Sequence, residues 1–218
     1  MFRYNALSLA RDWFAKNHLI TEVETMSTVA AKTEYTIEDL LAMPDGKSFE
    51  LVDGQLVEVN VSNLSSFVAT KTSTRLDNYC STNDLGEVFG SDAYYECFPD
   101  RPRHARKPDV SFIRKARLPA DWFEQGYFRI APDLAVEVIS PGDSAYEVDE
   151  KITELLDAGV QLVWEINPEE RIVFVHRGDR PILKLKENVL LDGEDVIQGF
   201  SCRVGDLFPP RPAAKASV

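Results

Sequence analysis

The chain has 218 residues, of which 44% are hydrophobic and 28% charged. That is ordinary for a globular protein with one sizeable core, and no apolar run approaches the roughly 20 residues that span a bilayer, so no membrane partner is expected. The formal net charge of −12 argues against a surface that grips nucleic acid by its phosphates everywhere, since such surfaces are usually basic.

In chain order, residues 1–34 read as an N-terminal extension with little to pack. Trp13, Lys16 and His18 interrupt any leader-like apolar stretch, and Met26 opens a segment that reads as a natural start of translation. Thr36-Ile37-Glu38-Asp39 resembles a capping box and predicts a short helix through Leu40, Leu41 and Met43, ended by Asp45-Gly46. Phe49–Val52 and Gln55–Val59 flank Asp53-Gly54, which predicts a hairpin with a type I′ turn. Residues 63–80 suit a helix whose apolar stripe is Leu64, Phe67, Val68, Leu76 and Tyr79.

Strands are expected at Glu87–Phe89, Ala93–Phe98 and Asp109–Ile113, then a loop over Ala116–Gly126 with a short helix near Trp122. In Leu134–Ile139, Leu134, Val136 and Val138 point to one face, and Ala135, Glu137 and Ile139 to the other. Ser144–Glu147 predicts a second capping box, opening a helix with Val148, Ile152, Leu155 and Leu156 on one stripe and Gly159 as its stop. Leu162–Ile166 and Arg171–His176 form a further hairpin, residues 182–191 add one or two short strands, and 209–218 reads as a disordered tail. The element order indicates an α+β fold, a mixed sheet with helices packed on it.

Cys80, Cys97 and Cys202 are far apart and form no CxxC spacing. Neither a zinc site nor a disulfide framework is expected, and a reducing cytoplasm is the expected location. Residues 101–117 hold seven bases against one acid, Asp109, which makes them +6 and leaves −18 for the rest of the chain. This run is either a solvated loop and strand end or a phosphate-facing rim beside Asp109.

Glu137 stands out because a carboxylate inside a strand must be compensated by a cation, a metal or a proton. Asp109 opens a strand 28 residues earlier. If the two strands are neighbours, the two carboxylates can share one divalent ion, and hard oxygen ligands suit Mg²⁺. A ligated water is then available to attack a phosphodiester.

At this point the chain resembles a family. Pro108-Asp109 followed by Glu137 is similar to the PD-(D/E)xK nuclease superfamily. Residues 35–208 resemble the bacterial Uma-two family of restriction-endonuclease-like proteins. The resemblance is carried by Phe49-Glu50-Leu51-Val52-Asp53-Gly54-Gln55-Leu56-Val57, Lys107-Pro108-Asp109-Val110 and Val136-Glu137-Val138-Ile139-Ser140-Pro141. Lys151, Ala158-Gly159-Val160, Val163–Pro168 and Gly199-Phe200 extend it. It implies a restriction-endonuclease-like central mixed sheet flanked by helices, and nuclease chemistry dependent on Mg²⁺, with Mn²⁺ as a substitute. By position, Asp109 and Glu137 bind the metal, and Glu50 is a further ligand or an orienting base. The superfamily lysine two residues after the acid is replaced by Ile139; the family-like solution is Lys151 from the next helix. On a helical wheel Lys151 borders the apolar stripe, but Asp149 borders its other edge, so the wheel alone does not select it.

Plainer readings stand beside these. Glu137 and Lys151 form a structural ion pair, Asp109 makes backbone contacts, Glu50 is an edge-strand charge, Lys151 lies on the helix surface, and His104 and His176 are surface or hairpin residues rather than ligands. Functionally, three classes follow: an endonuclease acting on nucleic acid, foremost DNA, through a metal-activated water; a catalytically silent nuclease-fold module for binding or assembly; and a metal-dependent hydrolase of a small phosphorylated molecule, for which no motif speaks. A homodimer is the expected assembly, with the hairpin after Trp164 as a candidate surface.

Overall fold

The computed structural model describes residues 34–211. The expected extension over 1–34 and tail over 209–218 lie outside that range, apart from Glu34 and residues 209–211. Helix α1 (Ile37–Ala42) starts where Thr36 accepts from the Asp39 N–H while Asp39 accepts from the Thr36 N–H, a complete capping box. Strands β1 (Phe49–Val52) and β2 (Gln55–Glu58) pair antiparallel. Asp53 and Gly54 between them have φ of 48° and 82°, the double left-handed conformation of a type I′ turn.

Helix α2 (Asn63–Thr82) buries Ser65, Val68, Thr72, Leu76 and Cys80. The buried stripe is therefore rotated from the expected one, and Phe67 is exposed. Two small hydroxyl residues take the inner positions because they self-satisfy: Thr72 Oγ1 donates to the Val68 carbonyl at 2.8 Å. The three cysteines are free and buried. Among the described residues no helix is long and apolar enough to cross a membrane.

The centre is a six-stranded mixed sheet in chain order, β3 (Gly86–Gly90), β4 (Val110–Arg114), β5 (Leu134–Val138), β6 (Leu162–Asn167), β7 (Ile172–Arg177) and β8 (Arg180–Lys186). Each neighbouring pair is antiparallel except β5–β6. Parallel neighbours need a crossover, and helix α3 (Ala145–Asp157) supplies it. Strand β5 is buried along its whole length. Its Leu134, Val136 and Val138 join Val68, Leu76 and Trp164 in one core layer. Ala135 packs on the other side with Ile152 and Leu155 of α3. The period-2 reading of this strand holds, and it turns Glu137 toward α3. The short strands β9 (Leu190–Asp192) and β10 (Ser201–Arg203) pair antiparallel, and their Leu191 and Cys202 add to the α2-side layer; β10 was not expected.

Two expectations are corrected. Ala93–Phe98 is not a strand: Tyr95 makes isolated bridges to Arg106 and Phe128. The neighbouring segment carries Pro99, Pro102 and Pro108, which lack the N–H a ladder needs. The two strands of the hairpin after Trp164 do not form an exposed surface either. They are mostly buried, and β7 is covered by β8, which is exposed and ends the sheet.

Candidate active site

The antiparallel register pairs Val110 with Val136. One step further along the strands, Asp109 comes to Glu137, and Asp109 Oδ2 accepts from the Val138 N–H at 2.7 Å. Both carboxylates line a cleft of about 260 Å³ together with Glu50, Arg106, Lys107 and Lys151. The adjacency of the two strands, a condition in the sequence argument, is thus met.

Lys151 reaches the cleft from α3. Its ammonium lies 2.8 Å from Glu137 Oε2 and 2.9 Å from Glu50 Oε1. The helix starts where Ser144 Oγ accepts from the Glu147 N–H. The Glu147 carboxylate takes the Ser144 hydroxyl, at 2.8 Å, so only half of the expected capping box is the familiar one. Ile152 and Leu155 hold the apolar stripe on the sheet, which leaves Lys151 at its edge with a stem long enough to reach inward. Asp149, on the opposite edge, is exposed. Ile139 lines the same cleft, so the strand position two residues after Glu137 carries no charge and the helix delivers the cation.

Glu50 is no edge-strand charge. It is 4% exposed and fully engaged: Oε1 accepts from the Lys107 N–H (2.8 Å) and from Lys151, and Oε2 from Arg106 Nη1 (3.0 Å). Burial alone raises a carboxyl pKa; here Lys151 and Arg106 outweigh it and hold Glu50 below its ordinary value. Glu137 is the contrary case. Burial, reinforced by the Asp109 and Glu50 charges and only partly offset by Lys151, pushes it up to about 8. Burial raises Asp109 as well. Burial also opposes the charge on Lys151, but Glu137 and Glu50 overcome it and hold the ammonium above its ordinary range.

The structural ion pair and the backbone contact are therefore both real. What they leave over is Glu137 Oε1, buried and without a hydrogen-bond partner among the described residues. Two buried carboxylates, Glu50 and Glu137, contact one ammonium, and the half-buried Asp109 stands beside them; an excess of negative charge so placed is relieved by a proton or by a further cation. A divalent ion fits this donor set. Among the described residues no group of three or more His, Cys, Asp and Glu forms a ready metal cage. Two carboxylate oxygens plus waters are nevertheless what Mg²⁺ accepts.

Sequence reasoning missed the other half of the network. Arg106, 6% exposed, donates through Nε to Glu154 Oε2 at 2.8 Å, with Nη2 2.6 Å from the same oxygen. Glu154 also pairs with Arg101 and meets His104 Nε2 at 3.1 Å. His104 is fully buried, not the surface residue expected. The Asp53 N–H donates to its Nδ1 at 3.4 Å, which leaves Nε2 to donate to Glu154. The basic run is likewise corrected as a free phosphate rim. Arg101 and Arg106 bind Asp53, Glu50 and Glu154, Arg103 binds Glu34, Arg114 and Arg117 converge on buried Asp133, and Lys115 binds Asp84. Lys107 donates to the Lys47 carbonyl. The spacing of Glu154, three residues past Lys151 on one helix face, was the signal available for it.

A mixed sheet with a parallel β5–β6 step, with one acid just before β4 and another within β5 beside a crossover helix, defines a protein of restriction-endonuclease-like architecture. The chain belongs to the Uma2 family, described as "Putative restriction endonuclease", whose model matches residues 37–205. It is similar to a crystal structure described as "a putative nuclease belonging to DUF820" from Anabaena variabilis, with TM-score 0.68 and 22% identity over 79% of this chain and 97% of that one. At this identity the likeness speaks to the fold. No curated protein matches the chain.

Proposed function

We propose that this protein is a divalent-metal-dependent endonuclease that hydrolyses phosphodiester bonds in nucleic acid, foremost DNA. Asp109 and Glu137 would hold Mg²⁺, or Mn²⁺ in its place. The observation that carries the reading is the unpartnered buried oxygen of Glu137 beside Asp109, in a cleft that already holds a fixed cation. A bound ion supplies Lewis acidity toward water and a phosphate oxygen. Lys151 supplies a fixed positive charge where a phosphate gains negative charge in the transition state. Glu50, with both oxygens already engaged, orients Lys151 rather than adding a ligand.

The test is incubation of the purified protein with plasmid, single-stranded DNA and RNA at low salt with Mn²⁺, alongside calorimetric titration of the ion. Cleavage and ion binding should both vanish in Asp109→Ala with Glu137→Ala. Ion binding that survives the double substitution refutes the site.

A second reading has its own support. The cleft is lined further by Glu58, Asp143, Glu147 and Glu150, and most bases of the basic run are paired with acids of the same chain, at the surface as well as inside. Such a mouth repels a polyanion, which favours a catalytically silent module for binding or assembly. Absence of nicking at high protein concentration, with a stable homodimer in solution, would select that reading. A small dependence of nucleic-acid affinity on salt, reflecting few phosphate contacts, is expected under either.

A further inference from the structure

We propose that Arg106 and Glu154 form a positioning strut for Lys151, setting where its ammonium stands between Glu50 and Glu137. The inference rests on Lys151 being the cation of the site proposed above.

Lys151 ends a flexible four-carbon stem, so something must fix its head if it is to act at one point. Its ammonium donates to the Lys107 carbonyl at 3.4 Å, and its two carboxylate partners sit on different parts of the fold. Glu137 is on the central sheet, whereas Glu50 is on the β1–β2 hairpin, which forms a separate two-stranded sheet. The hairpin and α3 must therefore be held at a fixed separation. Arg106 bridges that gap with one planar group, taking Glu50 Oε2 on one side and Glu154 Oε2 on the other. Glu154 lies one turn from Lys151 on the same helix face, so the clamp acts on the same face of α3 that presents the lysine. Arg101 ties Glu154 to Asp53 at the hairpin turn, and the buried His104 meets Glu154 as well.

The division of the Glu50 carboxylate is the central detail. Because Arg106 holds Oε2, Glu50 offers Lys151 only Oε1, already shared with the Lys107 N–H. The ammonium is thus held without being drawn wholly to Glu50, and it keeps its 2.8 Å contact with Glu137. Charge alone does not reproduce this. An arginine fork can face two carboxylates at once in a rigid plane, and a lysine at position 106 cannot.

The test reads the lysine directly. Ammonium protons of lysine exchange rapidly with water unless hydrogen-bonded. The metal-free wild type should show a Lys151 Nζ proton–nitrogen signal, identified by its loss in Lys151→Gln. It should persist in Lys115→Gln, which removes an exposed pair. In Arg106→Gln, Arg106→Lys and Glu154→Gln it should exchange at least about tenfold faster, with cooperative thermal unfolding retained. Glu154→Gln is isosteric and carries the test where Arg106→Gln does not fold. With Mn²⁺ and DNA, kcat should fall about 100-fold at unchanged KM, the scale of a reacting group misplaced by about 1 Å. In a Lys151→Gln background the same substitutions should add no more than about twofold. An unchanged signal, full rescue by Arg106→Lys, additive losses in the double variants, or no wild-type signal overturns the strut. A signal that behaves as expected in a protein that never cleaves removes the nuclease reading and leaves the strut standing. Cleavage with an unchanged signal does the reverse.

Discussion

The two halves of the buried charge network differ in how completely they are paired. Around Arg106, Glu50 and Glu154 are engaged on both oxygens, and the surrounding cations hold their carboxyl groups below ordinary values. Around Glu137 and Asp109, the buried Glu137 Oε1 has no partner among the described residues and both carboxyls are raised. Glu50 and Glu137 share Lys151 and are both buried, so depth alone does not separate them. The difference teaches where the fold uses charge for its own architecture and where it leaves a buried acid only partly compensated.

The largest effect expected from breaking that contrast is on the open half. Asp109→Ala or Glu137→Ala should reduce Mn²⁺ binding below calorimetric detection while the sheet still folds, because each removes one of two carboxylates. On the paired half, Arg106→Ala should cost stability instead, by about 3–5 kcal/mol in urea unfolding, since it removes the cation that Glu50 and Glu154 share.

A pH profile sharpens the same comparison. Burial would raise Glu154, but His104, Arg101 and Arg106 outweigh it and bring its pKa down from 4.5 to about 2. A carboxyl depressed in the folded state contributes stability that is full above its unfolded value and is lost as pH falls through the folded value. Unfolding free energy should therefore drop between about pH 5 and pH 2 by an amount on the order of 2 kcal/mol, discounted because Arg101 meets solvent. Glu154→Gln should flatten that acid limb.

Glu137→Gln should do the opposite of Arg106→Ala. Replacing a surplus buried carboxylate with a neutral group of the same shape should stabilise the metal-free protein by about 1 kcal/mol, visible as a higher urea midpoint, while ion binding is lost. The smallest effect belongs to Lys115→Gln. It lies in the same basic run as Arg106, but its pair with Asp84 is exposed on both sides, so the change should stay within about 0.5 kcal/mol.

Much of this was legible in one dimension. Alternation in Leu134–Ile139 gave both faces of β5, the Asp53-Gly54 pair gave the first hairpin, and Thr36 and Ser144 gave two helix starts. Each of these depends on neighbours within a few residues. The stripe on α2 was misread because Thr72 and Ser65 look polar in sequence but satisfy their own hydroxyls within the helix or its cap. Ala93–Phe98 was misread because a strand also needs a partner with free N–H groups, and that partner is rich in proline.

By itself, then, the sequence determined most of the element order and the inward direction of Glu137, and Lys151 joined Asp109 as its candidate companion only through the family resemblance. Side-chain periodicity and turn chemistry are local properties, and the chain carries them wherever it folds. Only the tertiary structure decided which cation meets which acid. The basic run could have faced phosphate, but strand pairing and the α3 crossover carried Arg106, Arg101 and Arg117 to buried acids, including some about 50 residues away in the chain. Ion pairing between distant residues is set by packing geometry, because a buried charge takes the partner the fold brings within reach and no spacing rule in the chain specifies it.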